Sequence, residues 1–314
     1  MKCVAGWLAG LLLALPGIGV AAKPAPPVPL LWEVRGDADA RLLMLGSFHL
    51  LKAGDYPLSA DVERAFSEAD RVIFELGPDE MGSPLLARQL LQAAMRKDGT
   101  RLEQTLSPAQ WQGLEAWSAR HALPVASLQG LQPWFVALNI NLSGLADAGM
   151  RADLGLDVTL MERAKAAGKP VLGLEDGRTQ IALFTTMDSR TQGQMLDEAL
   201  AEAASGSRQM QALHAAWRTG NAALLWQQSG QEMRESSPAL YQSLNVQRNQ
   251  AWLARLPSWL EAGKGTTLVV VGSMHLLGEE GLVAQFQARG RSVRRLCTVS
   301  GCRAVMAKTP AARR

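Results

Sequence analysis

Histidine, cysteine and tyrosine are scarce in this chain of 314 residues, with four, three and two copies, and only 19% of positions are charged. Globular domains usually carry nearer about 25%. Lys and Arg number 32 against 29 Asp and Glu, a formal charge of +3. Local excesses of positive charge are confined to Arg289, Arg291, Arg294 and Arg295 and to the terminal Lys308, Arg313 and Arg314. No basic groove follows from that pattern, so no nucleic-acid partner is expected. After the opening segment no run is apolar enough to span a bilayer, which needs about 20 such residues. The Gly-x-Ser-x-Gly elbow of a serine hydrolase is also missing.

What is present begins with a targeting segment. Lys2 supplies positive charge, Val4 to Val20 is apolar apart from Gly and Pro, and Val20-Ala21-Ala22 offers small residues for cleavage. Residues 1–22 therefore read as a signal peptide, with export to the periplasm. A retained anchor is the rival, but Pro16, Gly17 and Gly19 interrupt the run. Cys3 follows Met1-Lys2 directly, which is not a lipoprotein arrangement. Cys297 and Cys302 remain as an even pair in an oxidising compartment and are expected to bond, as a clip on the last strand.

Residues 23–29 form a Pro-rich lead, and the fold is expected to start near Leu30. Strands are expected at Arg41–Leu45, Arg71–Glu75, Leu123–Leu128, Val171–Glu175, Thr266–Val271 and Ser292–Val299. Helices are expected at Ser59–Ala69, near 84–97, 107–121 and 133–147, at Gly155–Ala167 and at Glu279–Arg289, whose first turn would hold acids. Between about 178 and 262 only helical spacing occurs. Its Trp and Met stripe, with Met210, Trp217, Trp226, Trp252 and Trp259, reads as helix core, a haem or peptide groove being the other possibility. The words Leu43-Met-Leu-Gly-Ser-Phe-His-Leu-Leu51 and Val269-Val-Val-Gly-Ser-Met-His-Leu-Leu277 form an internal repeat. Two copies imply a duplicated strand-loop-helix-strand unit, not a solenoid. The fold class is α/β: a single domain over 30–314, with a largely parallel central sheet and a helical insertion at about 178–262.

In an open parallel sheet, ligands gather beyond the carboxyl ends of the strands. His49 and His275 each lie three residues after a glycine, Gly46 or Gly272, expected to allow a tight turn or positive φ. Glu75 and Glu175 end two other strands. Two imidazoles and two carboxylates are a ligand set for zinc, manganese, iron or cobalt, leaving room for an activated water. Each carboxylate could instead be scaffold, Glu175 by pairing with Arg178. Ser47 and Ser273 read as turn caps or supporting hydrogen-bond groups. Arg248 and Asn249 could grip a carboxylate, stabilise an oxyanion, or form an ordinary salt bridge. Asp157 has a weaker claim, and His121 and His214 read as structural or exposed.

The residues Leu45-Gly-Ser-Phe-His49, Phe74-Glu-Leu-Gly77, Gly173-Leu-Glu175, Arg248-Asn249-Gln-Ala-Trp252 and Val271-Gly-Ser-Met-His-Leu-Leu-Gly278 resemble, in order and spacing, the TraB/GumN family, related to the Tiki proteases. The resemblance implies a fold like that of the erythromycin esterase and ChaN group, with paired Gly-x-x-His motifs at one site. It also implies a metal-dependent peptidase favouring manganese or cobalt. His49 and His275 would be ligands or catalytic groups, Glu75 and Glu175 would complete the site, and Arg248 would assist. The expected partner is a peptide or small-molecule substrate. Haem, iron or peptide binding without turnover, or sequestration of a pheromone, is the alternative.

Overall fold

The computed structural model describes residues 25–298 apart from 37–38 and 262–263. The signal segment and the Cys297–Cys302 pairing, which needs Cys302, lie outside the described residues. Six strands form one sheet: β1 (Leu31–Arg35), β2 (Arg41–Ser47), β3 (Arg71–Leu76), β4 (Val171–Glu175), β5 (Thr266–Gly272) and β6 (Ser292–Arg295). Their order is β4-β3-β5-β2-β1-β6. The run β4-β3-β5-β2 is parallel, and β1 is antiparallel to both β2 and β6. The mixed, mostly parallel α/β sheet is thus as expected.

The central strands are apolar on both faces because helices cover both, as parallel sheets require. Side chains alternate across the sheet. Leu43, Leu45, Val72, Phe74, Leu268 and Val270 meet helices on one face, and Leu42, Met44, Ile73, Val269 and Val271 meet others on the second. The helices are α1 (Ala60–Glu68), α2 (Pro84–Ala94), α3 (Pro108–Arg120), α4 (Pro133–Asp147), α5 (Leu156–Ala166), α6 (Gly177–Thr185), α7 (Ser189–Ala204) and α8 (Arg208–Arg218). Two further helices, 222–236 and 238–253, each contain a π-turn, at Trp226–Gln231 and Gln242–Val246. α1, α5 and α8 pack on the first face; the end of the 238–253 helix, Pro257–Glu261 and Leu282–Ala288 pack on the second.

The duplicated units are β2-α1-β3 and β5, Leu282–Ala288, β6. Their first strands pair directly, Gly46 opposite Val271 and Ser47 opposite Gly272, so both Gly-Ser turns leave the same edge side by side. Several expectations differ from the structure. β1 was not anticipated; it follows the Pro-rich lead and forms a hairpin with β2, closed by Gly36 N–H to Ala40 O at 3.0 Å. Ordered packing begins ahead of Leu30, since Pro27 and Pro29 are buried and Val28 N–H donates to Arg218 O. Leu123–Leu128 is no strand: Val125–Leu128 is a 3-10 turn, with Leu128 packed in a helical core beside Trp117 and Trp134. The helix expected from Glu279 starts only at Leu282, and the acids Glu279 and Glu280 sit in the turn before it. The last strand stops at Arg295. Helices gather outside the sheet from two stretches, because α2, α3 and α4 share that separate core with α7.

Trp217 ties α8 to the sheet edge from which the site hangs. It is fully buried, and its Nε1–H donates to Gly46 O at 3.0 Å. Trp217→Ala should lower unfolding free energy by about 3–5 kcal/mol, through the cavity and the unpaired carbonyl. Urea unfolding followed by circular dichroism checks this; a loss under about 1 kcal/mol would contradict the tie.

Candidate functional site

The strand ends deliver the site. β2 runs into the turn carrying His49, Glu75 lies near the end of β3, Glu175 ends β4, and a 3-10 turn at Ser273–Leu276 after β5 carries His275. The glycines serve by closeness and not by handedness, which corrects the positive φ expected as one alternative and leaves the tight turn standing after Gly272. Neither has positive φ, and Gly272 lies at φ −50°. A Cβ on Gly46 would stand 2.7 Å from Ser273 Oγ. A Cβ on Gly272 would lie 3.4 Å from Glu75 Oε1 and 3.6 Å from both His49 Nε2 and His275 Cδ2. Gly272 therefore keeps open the gap that these three side chains face.

Arg248 is the hub. Its Nε–H donates to Glu175 Oε1 at 3.0 Å, its Nη2 to Glu75 Oε2 and Glu175 Oε1, both at 2.5 Å, and its Nη1 to Leu244 O at 3.3 Å and His275 Nε2 at 3.0 Å. An arginine has five N–H donors and no acceptor. All five are engaged within the protein, so the oxyanion role considered for Arg248 has no free donor, and the salt bridge is what the structure holds. Glu175 pairs with Arg248, not with Arg178, and also receives Trp252 Nε1–H at 3.1 Å and Gln180 Nε2–H at 2.9 Å. Glu75 accepts Gly272 N–H at 2.7 Å. Burial opposes its charge, but the charges of Arg248 and His49 and that N–H outweigh the penalty and hold its carboxyl far below the usual range.

His275 is buried and neutral. Burial first, then the Arg248 charge, push its pKa down to about 3. Because Arg248 can only donate, His275 Nε2 accepts and Nδ1–H must go to Asn249 Oδ1, at 2.8 Å. Asn249 Nδ2 donates to the carbonyls of His275 and Glu280, which fixes the amide orientation. Trp252 lies under the cluster, its ring centroid 4.5 Å from that of His275 and 4.8 Å from the Arg248 guanidinium carbon.

His49 is the open member. Its side chain is 58% exposed and its Nδ1 meets Asp157 Oδ2 at 3.1 Å. The Asp157 charge raises its pKa to about 9 against the cost of desolvation, with Glu75 adding to the rise. Solvent at the exposed ring screens part of this. Sequence reasoning ranked Asp157 low because its partner lies across the fold. The signal is Gly155: a Cβ there would fall 2.2 Å from His49 O, so only glycine lets the start of α5 approach, with Leu156 N–H bonded to Phe48 O. Gln180 and the polar use of Trp252 were missed outright.

His121 and His214 stand apart from this cluster. His121 bonds Trp117 O and Asp147, and buried His214 bonds Asp55 at 2.8 Å. Among the described residues no group of three or more His, Cys, Asp and Glu side chains is disposed to hold a metal ion. Both nitrogens of His275 are used, leaving only His49 Nε2 open, so the side chains as arranged do not fit a two-histidine metal site. Beside the gap lies a cavity of about 500 Å³, bounded by Ser47, His49, Glu75 and Arg248 on one side and by leucines on the other.

With fold and site defined, the class of the protein follows from comparison. The chain belongs to the TraB/PrgY/gumN family, whose model matches residues 30–295. Among curated proteins it is similar to the uncharacterized protein YbaP of Escherichia coli (strain K12), 27% identical over 241 residues, covering 76% of this chain and 85% of the relative. The YbaP of Shigella flexneri matches to the same extent. No solved structure gives a significant match.

Two outcomes follow from the geometry. Arg248→Ala strands two carboxylates and should cost about 3–5 kcal/mol of stability, measured by denaturant unfolding at neutral pH; a change under about 1 kcal/mol would show that Arg248 is not the hub. In NMR titrations His49 should ionise above the ordinary histidine value, and Asp157→Asn should move that midpoint down toward it. An unmoved midpoint would separate Asp157 from His49.

Proposed function

We propose that the protein is a hydrolase that adds water across an amide or ester, with His49 as the proton-transfer group. The observation that carries this reading is the His49–Asp157 pair: Asp157 holds Nδ1, and Nε2 is left open at the gap beside Glu75 and the cavity mouth. His49 takes a proton from water as the water oxygen bonds to the carbonyl carbon. The imidazolium so formed is stabilised by Asp157 and Glu75, and its proton passes to the leaving nitrogen or oxygen as that bond breaks. Arg248 is a positioning residue that keeps Glu75, Glu175 and His275 in register. The resemblance to Tiki proteases favours a peptide as substrate and manganese or cobalt as cofactor; the side chains as arranged do not fit that metal, so each step is assigned to protein groups. The reading of residues 1–22 as a cleaved signal supports a periplasmic site of action.

A second reading has its own support. An open imidazole nitrogen beside an apolar cavity also suits a haem- or peptide-binding protein that does not turn over. The deciding experiment is a screen of peptide and ester libraries with mature wild type and His49→Ala, with added manganese, cobalt, zinc or iron and with chelator. The hydrolase reading expects turnover that falls at least about a hundredfold in the variant. Activity in wild type should rise with pH as His49 loses its proton, and Asp157→Asn should move that rise to lower pH. Equal rates in both proteins would overturn it, and a Soret band dependent on His49 without any hydrolysis would favour the second reading.

A further inference from the structure

Ser47 and Ser273 occupy matching places in the repeat but have different fates. Ser273 Oγ donates to Ser47 O at 3.0 Å and fastens the two turns together. Ser47 is 3% exposed, and its Oγ has no hydrogen-bond partner among the described residues. Buried hydroxyls are normally paired, because leaving one unpaired is costly. Ser47 lines the cavity of about 500 Å³ and also a second of about 270 Å³, and His49 and Glu75 border both.

The remaining wall of the larger cavity selects what could satisfy that hydroxyl. Leu138, Leu142, Leu183, Leu213, Leu225 and Met274 make it apolar over most of its extent. The charges on its wall are already paired within the protein, Arg248 with Glu75 and Glu175 and His49 with Asp157, so a charged head group finds no free counter-charge there. What fits is an uncharged polar group at Ser47 joined to an apolar chain.

We propose that the site takes an uncharged ester or amide of a medium-length apolar acyl group, its chain in the leucine-lined cavity and its carbonyl oxygen accepting a hydrogen bond from the Ser47 hydroxyl. The placement of the carbonyl rests on the hydrolase reading; the chain in the cavity does not. Calorimetric titration of the full mature chain with straight-chain amides of four to eight carbons tests it. Affinity should rise about fourfold per methylene. Ser47→Ala should weaken every amide about fivefold without changing that progression. Leu183→Trp, at a half-buried position on the cavity wall, should abolish the gain beyond four carbons and leave butanamide binding intact. A flat chain-length series, preference for a leucine-rich tripeptide over octanamide, or wild-type affinity in Ser47→Ala would overturn the proposal. Turnover of an octanoyl ester separates the two readings: binding with this pattern but no turnover contradicts the hydrolase and leaves the acyl site standing, whereas peptide hydrolysis with a flat amide series does the reverse.

Discussion

One guanidinium organises this protein's site. Two carboxylates brought to the end of a parallel sheet and withdrawn from water would repel each other and be poorly solvated, and a buried charge is tolerated only when paired and hydrogen-bonded. Arg248 meets that condition for Glu75 and Glu175 together, and its remaining donors set the protonation pattern of His275. Asn249, next to Arg248, and Trp252, four residues after Arg248 on the same helix, complete the same assembly. The π-turn at Gln242–Val246 lies just ahead of these residues, and π-turns recur at functional sites.

The gap itself is a product of backbone approach. Pairing of the two repeat strands brings two Gly-Ser turns together, and a side chain at Gly46 or Gly272 would collide with or fill what lies between them. Gly155 plays the same part on the far side by letting Asp157 reach His49. The division of labour follows from burial: His275, enclosed and neutral, belongs to the scaffold, while His49, open to water and charged by its neighbour, is the group able to exchange a proton.

Much of this is legible in the sequence. The apolar runs of β2, β3 and β5 mark strands covered on both faces, and the rule that ligands collect at strand carboxyl ends selects His49, Glu75, Glu175 and His275. β1 escaped notice because it is short, follows prolines and carries the charged Glu33 inside. Leu123–Leu128 reads as a strand from its apolar content, yet it lies outside the sheet and its leucine fills a helical core instead. The roles of Asp157 and Gln180 depend on which helix passes which strand end, and periodicity carries no such information. Arg248 and Asn249 were noticed, but only the full set of partners shows that no N–H of Arg248 is left for a substrate.

The most direct measurement is a crystal structure of the mature protein grown with manganese. The account predicts Arg248 bridging Glu75 and Glu175 with His275 Nε2 as its acceptor, and His49 Nε2 open toward the gap at Gly272. A manganese ion bound by His49 and His275, with Arg248 displaced from both glutamates, would contradict it.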